Sequence, residues 1–379
     1  MHASKLAQRA RRSVGAWGLG VGGGVGAVGF PMLRRAPLLL LLSAVLQPVT
    51  APPSWVVVRP EEHGAAADGV TDDTPAIRSA LARCSHAGGC TLLFSSGHSY
   101  RTGPIYLVSN IHVEVEQGAL LQALNMTAWL SAGYDDDFPK CQIAPCGGIV
   151  MGRDLRNVTL AGGGIVDGSG YLWWQCSWGR CPPNTIPDGD RPHLLRFTNV
   201  HGLRIGDGLQ LHNSPNHNAW VEDCVGVRIG WGGGLKIDAP AVEGAGLPGV
   251  DFTKGSPNTD GVNIAGGFDT LIENMLVHNN DDCVSVIGSA GGDPHATLAH
   301  GGNVIVRNVS CTYSHGLSIG SVTHDVIVNT TFEDCSFINS DNGCRIKAHP
   351  NGSGSVSGVT YRNIHLDNVI FPILVYAIR

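Results

Sequence analysis

Short β-branched runs recur along most of this chain, each set between turns of Gly, Asn and Asp. Examples are Val158-Thr159-Leu160, Leu203-Arg204-Ile205, Val227-Arg228-Ile229, Val304-Ile305-Val306, Val326-Ile327-Val328 and Val359-Thr360-Tyr361. From Leu203 to Val227 is 24 residues, and from Val304 to Val326 is 22. Arg-Asn-Val at 156–158 and 307–309, and Arg-Asn-Ile at 362–364, recur at similar places in their repeats. A period of about 20–50 residues marks solenoids and propellers, and a propeller blade needs about 40 residues with four strands. Helical crossovers between the strands are missing from the pattern, which disfavours a doubly wound α/β sheet. The economical expectation is an all-β, right-handed parallel β-helix. In that fold, residues one coil apart in sequence lie about 4.8 Å apart in space. Asparagines at its turns are expected to stack in ladders, so many of them are structural. The 52 glycines follow no three-residue period, which excludes collagen and suits a turn-rich solenoid.

The first 51 residues read differently. Residues 1–31 are basic and Gly/Ala-rich, with no amphipathic period, and read as an upstream extension or a mis-set start, with a transit peptide as rival. From Met32, the basic Arg34-Arg35 pair leads into the apolar Leu38–Leu42 run, and Val49-Thr50-Ala51 supplies small residues for cleavage. That is the pattern of a secretory signal over residues 32–51, and its apolar run is too short for a transmembrane helix. Six of the 25 Lys+Arg and none of the 31 Asp+Glu lie in residues 1–51, leaving 19 against 31 and a net charge of −12. So acidic a chain is a poor nonspecific nucleic-acid binder. If its substrate is a polyanion, the cations must be gathered locally.

Eleven cysteines and five N-glycosylation sequons, at Asn125, Asn157, Asn308, Asn329 and Asn351, agree with secretion. Cys84/Cys90, Cys141/Cys146 and Cys176/Cys181 form local pairs by proximity, although connectivity does not follow from sequence. No pairing uses all eleven. Zinc is disfavoured because no Cys-x-x-Cys spacing occurs. The mature region, 52–379, is expected to be a single domain. It opens with Asp68-Gly69-Val70-Thr71-Asp72-Asp73, where Thr71 or Asp72 could cap a helix over Pro75–Cys84 that covers the end of the solenoid. A calcium loop fails there, since the spacing misses the EF-hand pattern and no late Glu follows.

The chemistry-bearing residues sit in one stretch, Asn258 to Lys347. It carries Asn258-Thr259-Asp260-Gly261, Asn280-Asp281-Asp282-Cys283, Ser314-His315-Gly316-Leu317-Ser318-Ile319-Gly320-Ser321 and Arg345-Ile346-Lys347. Asp260 precedes Asp281 by 21 residues, about one coil, and the later motifs follow at further coils, one of them lengthened by the Gly288–Gly302 excursion. Stacked coils would gather all six polar groups in one shallow groove. Three carboxylates can supply the acid and the base that glycosidic cleavage needs, and crowding them raises one pKa so that an acid stays protonated. Adjacent strand residues face opposite ways, so Asp281 and Asp282 can share the groove only at a strand end or turn. Arg345 and Lys347, two apart, share a strand face, where a guanidinium and an ammonium suit a carboxylate ligand.

These four motifs, in this order, resemble the Asn-Thr-Asp, Gly/Gln-Asp-Asp, Gly-His-Gly and Arg-Ile-Lys motifs of glycoside hydrolase family 28, the polygalacturonases. The resemblance runs from about Glu62 to the C-terminus. It implies inverting hydrolysis of α-1,4-galacturonan in pectin, without metal or organic cofactor. Asp281 would be the general acid, Asp260 and Asp282 would hold the water, and His315 would tune the acid or hold the sugar. Arg345 and Lys347 would bind the uronate and favour homogalacturonan over rhamnogalacturonan, and Asn258 would bind substrate or orient Asp260. It also implies a Cys283–Cys311 pair across adjacent coils, and a secreted monomer. Asn280 and Ser314 depart from the family residues but are small or polar. Trp173 and Trp174 match a family Trp-Trp segment and read best as core. Relatives continue for several coils past the segment like Asn363–Val375 and carry a substrate tyrosine that Tyr376 does not match. The domain is therefore expected to be incomplete at its C-terminus. Two other readings remain: a calcium-dependent pectate lyase on a similar β-helix, and a non-catalytic pectin-binding wall protein.

Overall fold

The computed structural model describes residues 55–134, 147–177, 191–239, 255–288, 300–350 and 352–377, all within the unit Pro52–Arg379. The leader expected over residues 1–51 lies outside the described residues, as do Cys141, Cys146, Cys181, Asn351 and most of the Gly288–Gly302 excursion.

Three ladders of parallel strands run through the unit. One stacks Cys90–Phe94, Ile111–Val115, Arg156–Ala161, His201–Gly206 and Val225–Trp231, then continues through the first halves of Phe268–His278 and His300–Thr312. A second stacks Ser99–Thr102, Leu120–Ala123, Ile165–Asp167, Leu209–His212 and Leu235–Asp238. The third stacks Gly148–Arg153, His193–Thr198, Ala219–Glu222, Val262–Ala265, Val284–Ile287 and Leu317–Val322, and then pairs with Cys344–Ala348 inside the long strand Val326–Ala348. Every described pairing is parallel, and consecutive coils stack: the chain is a parallel β-helix.

Alternation along the strands explains the stacking. In the third ladder Leu195, Ala219, Val262, Val284 and Leu317 occupy one register position and are fully buried. The intervening position, one residue later, carries Arg196, Trp220, Asn263, Ser285, Ser318 and Arg345. Because the side-chain period is two, this polar row faces away from the core along the whole ladder.

The turns are held by the expected side-chain ladders. Asn157 donates to Asn110 (2.9 Å), Asn308 to Asn274 (2.7 Å), Asn329 to Asn303 (3.4 Å) and Asn368 to Asn339 (2.7 Å). These asparagines adopt left-handed φ near +50°, a region Asn tolerates better than most residues. At the N-terminal end, helix Thr74–His86 lays Ile77, Ala80, Leu81 and Cys84 against the first coils. Asp72, one of the two expected caps, accepts from the Thr74 backbone N–H at 2.9 Å, while Thr71 serves a tighter turn with Asp68. Asp73 accepts from the Ala66 N–H at 2.7 Å, so these acids are turn and cap residues. Trp173 and Trp174 are core, both 2% exposed. Disulfides join Cys84 to Cys90 and Cys283 to Cys311, whereas Cys224, Cys335 and Cys344 are buried thiols. Among the described residues, no helix is long and apolar enough to cross a membrane.

Candidate active site

The third ladder's strand starts carry the acids. Gly261 N–H donates to the Asp282 carbonyl (2.9 Å) and His315 N–H to the Asp281 carbonyl (2.8 Å), so the Asp260, Asp281/Asp282 and His315 turns occupy three successive coils. Buried asparagines clamp these turns. Asn218 Nδ2 donates to the Thr259 and Asp260 carbonyls, both at 3.0 Å, and Asn279 Nδ2 donates to those of Thr259 and Asp282, both at 2.9 Å. The two residues that depart from the family motifs belong to the same scaffold. Ser314 Oγ donates to the Asp281 carbonyl at 2.9 Å, and Asn280 Nδ2 to Ser256 Oγ at 3.1 Å. Gly316 has a φ of +97°, and a Cβ there would lie 2.3 Å from the Gly343 carbonyl, so the residue after the histidine has to be glycine.

Asp281 and Asp282 both leave a turn just before strand Val284–Ile287, which lets adjacent residues reach the same groove. Their partners differ. Asp281 Oδ1 meets His315 Nδ1 at 3.1 Å. Asp282 is 1% exposed and faces cations: Arg345 Nη2 donates to its Oδ1 and Lys347 Nζ to its Oδ2 (2.8 Å), with Ser318 Oγ donating to Oδ1 at 2.8 Å. Arg345 Nε also donates to Ser318 Oγ (2.9 Å). Arg345 and Lys347 do share a strand face, and that face looks at Asp282. Asn258 sits apart from the carboxylates' bonds, its Oδ1 accepting from Arg191 Nη2 at 2.7 Å.

The electrostatics divide the acids. Burial first, and the Asp281 charge second, push the Asp260 carboxyl up to about 7. Burial works against the Asp281 charge too, but the His315 hydrogen bond and charge outweigh it and bring Asp281 below the ordinary carboxylate range. The converse holds for His315: burial lowers it, while the bond to Asp281 and the charges of Asp281 and Asp341 raise it above the usual histidine value. Of the three acids, Asp260 is the one whose carboxyl is raised, by burial first and by the Asp281 charge second. Lys347 is lowered by burial and by its neighbour Arg345.

Two residues went unmarked in the sequence. His217 Nε2 lies 3.6 Å from Asp260 Oδ1, and Asp341 Oδ2 lies 3.5 Å from His315 Nε2. The only signal for Asp341 was its place one coil after His315, and His217 stands 43 residues before Asp260 among 16 histidines. Asp281, Asp282 and His315 offer ligand atoms within 4.8 Å of one another, as a metal site would. Both Asp282 oxygens already face Arg345 and Lys347, however, so a divalent cation there would meet two like charges.

Residues 126–377 match the family model of glycosyl hydrolases family 28. A polygalacturonase of Cryptomeria japonica is 30% identical over 329 residues, covering 83% of this chain and 55% of that protein. Polygalacturonase-2 of Solanum lycopersicum is 29% identical over 226 residues, covering 58% of this chain and 43% of that protein. The chain thus spans about half the length of the curated relatives it matches. Among solved structures, a polygalacturonase from Erwinia carotovora ssp. carotovora superposes with a TM-score of 0.67 at 20% identity, covering 88% of this chain and 83% of its own; this likeness speaks to the fold. An endo-xylogalacturonan hydrolase from Aspergillus tubingensis reaches 0.62 at 26% identity, covering 84% and 77%. With its motifs on successive coils of a parallel β-helix and most of its length matched to the family model, the chain belongs to glycoside hydrolase family 28.

Proposed function

We propose that this chain hydrolyses α-1,4-galacturonosidic bonds of polygalacturonan with inversion, as a secreted monomer acting on cell-wall pectin. The observation that carries this reading is the groove itself, where three carboxylates in unlike environments lie beside a buried Arg–Lys pair. Asp281 protonates the leaving oxygen, and Asp260 and Asp282 hold the attacking water. His315 steadies Asp281 through its 3.1 Å contact. Lys347 and the remaining donors of Arg345 receive the uronate carboxylate, since a guanidinium has five N–H groups and two of its bonds go to Ser318 and Asp282 among the described residues. Asn258 lines the approach, tied to Arg191.

The raised Asp260 carboxyl is compatible with these roles. The Asp281 charge helps burial to raise Asp260, so the titrations of the two carboxyls are linked. A leaving oxygen beside Asp281 accepts from its protonated form, and a water beside Asp260 donates to its ionised form. Substrate entry therefore favours the ionised Asp260 and the protonated Asp281.

The test is a reducing-end assay on polygalacturonate with chelator present, run alongside ultraviolet absorbance for unsaturated product, on wild type and Asp281→Asn. New reducing ends without absorbance, lost in the variant, support the hydrolase. Absorbance that requires calcium would make the chain a lyase and overturn all three aspartate roles. Binding of polygalacturonate without turnover in folded protein would make it a wall-binding protein.

A further inference from the structure

His217 is a half-buried histidine that the reaction scheme above leaves unused. Its ring packs with those of His193 and Trp220, with centroids 4.9 Å from the first and 5.1 Å from the second at interplanar angles of 23° and 13°. His193 and Trp220 also stack on each other at 5.3 Å, so the three rings form one packed block on the coils just before Asp260. Packed against these two rings, the imidazole sets its Nε2 3.6 Å from Asp260 Oδ1. Its other nitrogen, Nδ1, is buried and has no hydrogen-bond partner among the described residues. When Asp260 is ionised, an N–H on Nδ1 would have no acceptor among the described residues, whereas an N–H on Nε2 faces the carboxylate. The proton of the neutral ring therefore belongs on Nε2, facing Asp260.

We propose that His217 is a positioning residue for the hydrolysis: its Nε2–H, held by the aromatic block, orients the Asp260 carboxylate and favours the ionised form that activates water. This rests on the reading of Asp260 as a base. Contacts of this kind are commonly long in an empty site and tighten in the substrate complex. Burial holds the His217 ring well below ordinary histidine, to about 4, against the pull of Asp281 and with the help of Arg191, Arg196 and Lys347. Above about pH 4 the ring is thus a neutral donor, and gives Asp260 a hydrogen bond without a second charge.

Three proteins decide it: wild type, His217→Phe and His217→Gln. Phe keeps the stack and removes the donor, while the Gln side-chain amide places an N–H near the position of Nε2. The expected result is that His217→Phe moves the acidic limb of kcat/KM upward by about one pH unit, lowers the rate on that limb about tenfold and leaves KM nearly unchanged. His217→Gln should recover most of the loss. Equal losses in both variants with unmoved limbs would overturn the proposal and leave His217 a packing residue. The same comparison by carbon-13 NMR titration of the aspartate carboxyls needs no turnover. An Asp260 titration that rises in His217→Phe alone supports the contact even if wild type releases no reducing ends, in which case the hydrolase reading fails by itself. An Asp260 titration identical in all three proteins overturns the contact.

Discussion

Replacing Asp282 by Asn tests whether this carboxylate holds the groove together as well as serving it. The change keeps the shape of the side chain and removes one charge. Two cations are then left facing each other, because Arg345 and Lys347 both end on Asp282. The side chains of Asp282 and Arg345 are only 2% and 8% exposed, so water can do little to compensate. An exposed pair would be worth about 0–1 kcal/mol, but removing one member of a buried pair costs about 3–5 kcal/mol. Burial and Arg345 already lower the Lys347 pKa, so loss of its proton would bring the cost toward the lower end of that range. At about 2.1 cal/mol/K of unfolding entropy per residue over roughly 320 residues, the loss lowers Tm by about 4–8 °C. Thermal unfolding followed by circular dichroism measures it, with Asp281→Asn as the control that leaves both cations paired. If Asp282→Asn melts within about 1 °C of wild type, the cations are not balanced through Asp282 and the reasoning fails.

Two further perturbations follow from the same coils. The Cys283–Cys311 bridge closes a 28-residue span directly behind the acid turn; a chain-entropy estimate gives about 3.5 kcal/mol for such a loop, so Cys311→Ser should lower the denaturant midpoint correspondingly and weaken activity with it. The His315–Asp281 pair is charged on both sides only between the lowered Asp281 and the raised His315. The part that His315 contributes is complete below its unfolded value of 6.5 and is lost as pH rises through the higher folded value, while the Asp281 part is complete above 3.8 and is lost as pH falls through the lower folded value. His315→Gln should therefore flatten the decline of stability on the alkaline side, and an unchanged slope would show that the pair is not formed in solution.

Much of the architecture was legible because the period of a β-helix is written directly into its sequence. Triplets such as Leu203-Arg204-Ile205 and Val227-Arg228-Ile229 are in register one coil apart, as the 24-residue spacing implied. Local pairs were legible too, since Arg345 and Lys347 lie two apart on a strand and so share a face. What those side chains face was not. Coil lengths vary, and the excursion after Gly288 hides how far Asp282 stands from Arg345 until the strands are paired. Sequence argued that crowding would protonate one carboxylate, but which one is raised depends on burial set against each acid's partners: His315 lowers Asp281 and two cations face Asp282, while burial and the Asp281 charge raise Asp260. His217 was invisible for a plainer reason. It comes from an earlier coil, with the segment from 240 to 254 intervening, and nothing in its neighbours distinguishes it from a core histidine.

The asparagine ladders also bear on how sugars could be attached. Asn157, Asn308 and Asn329 are sequons, and each spends its Nδ2 on the rung below. Nδ2 is the atom that an N-linked glycan would occupy, and attachment leaves it a single hydrogen. Asn125 engages its Oδ1 instead, capping the helix Met126–Ser131 through the Ala128 N–H. A glycosyltransferase therefore meets two kinds of acceptor. At Asn125 the modification and the fold use different atoms, so the order of events is immaterial. At the three ladder positions a glycan and the ladder would share the same nitrogen, so a sugar there would leave one hydrogen for the rung.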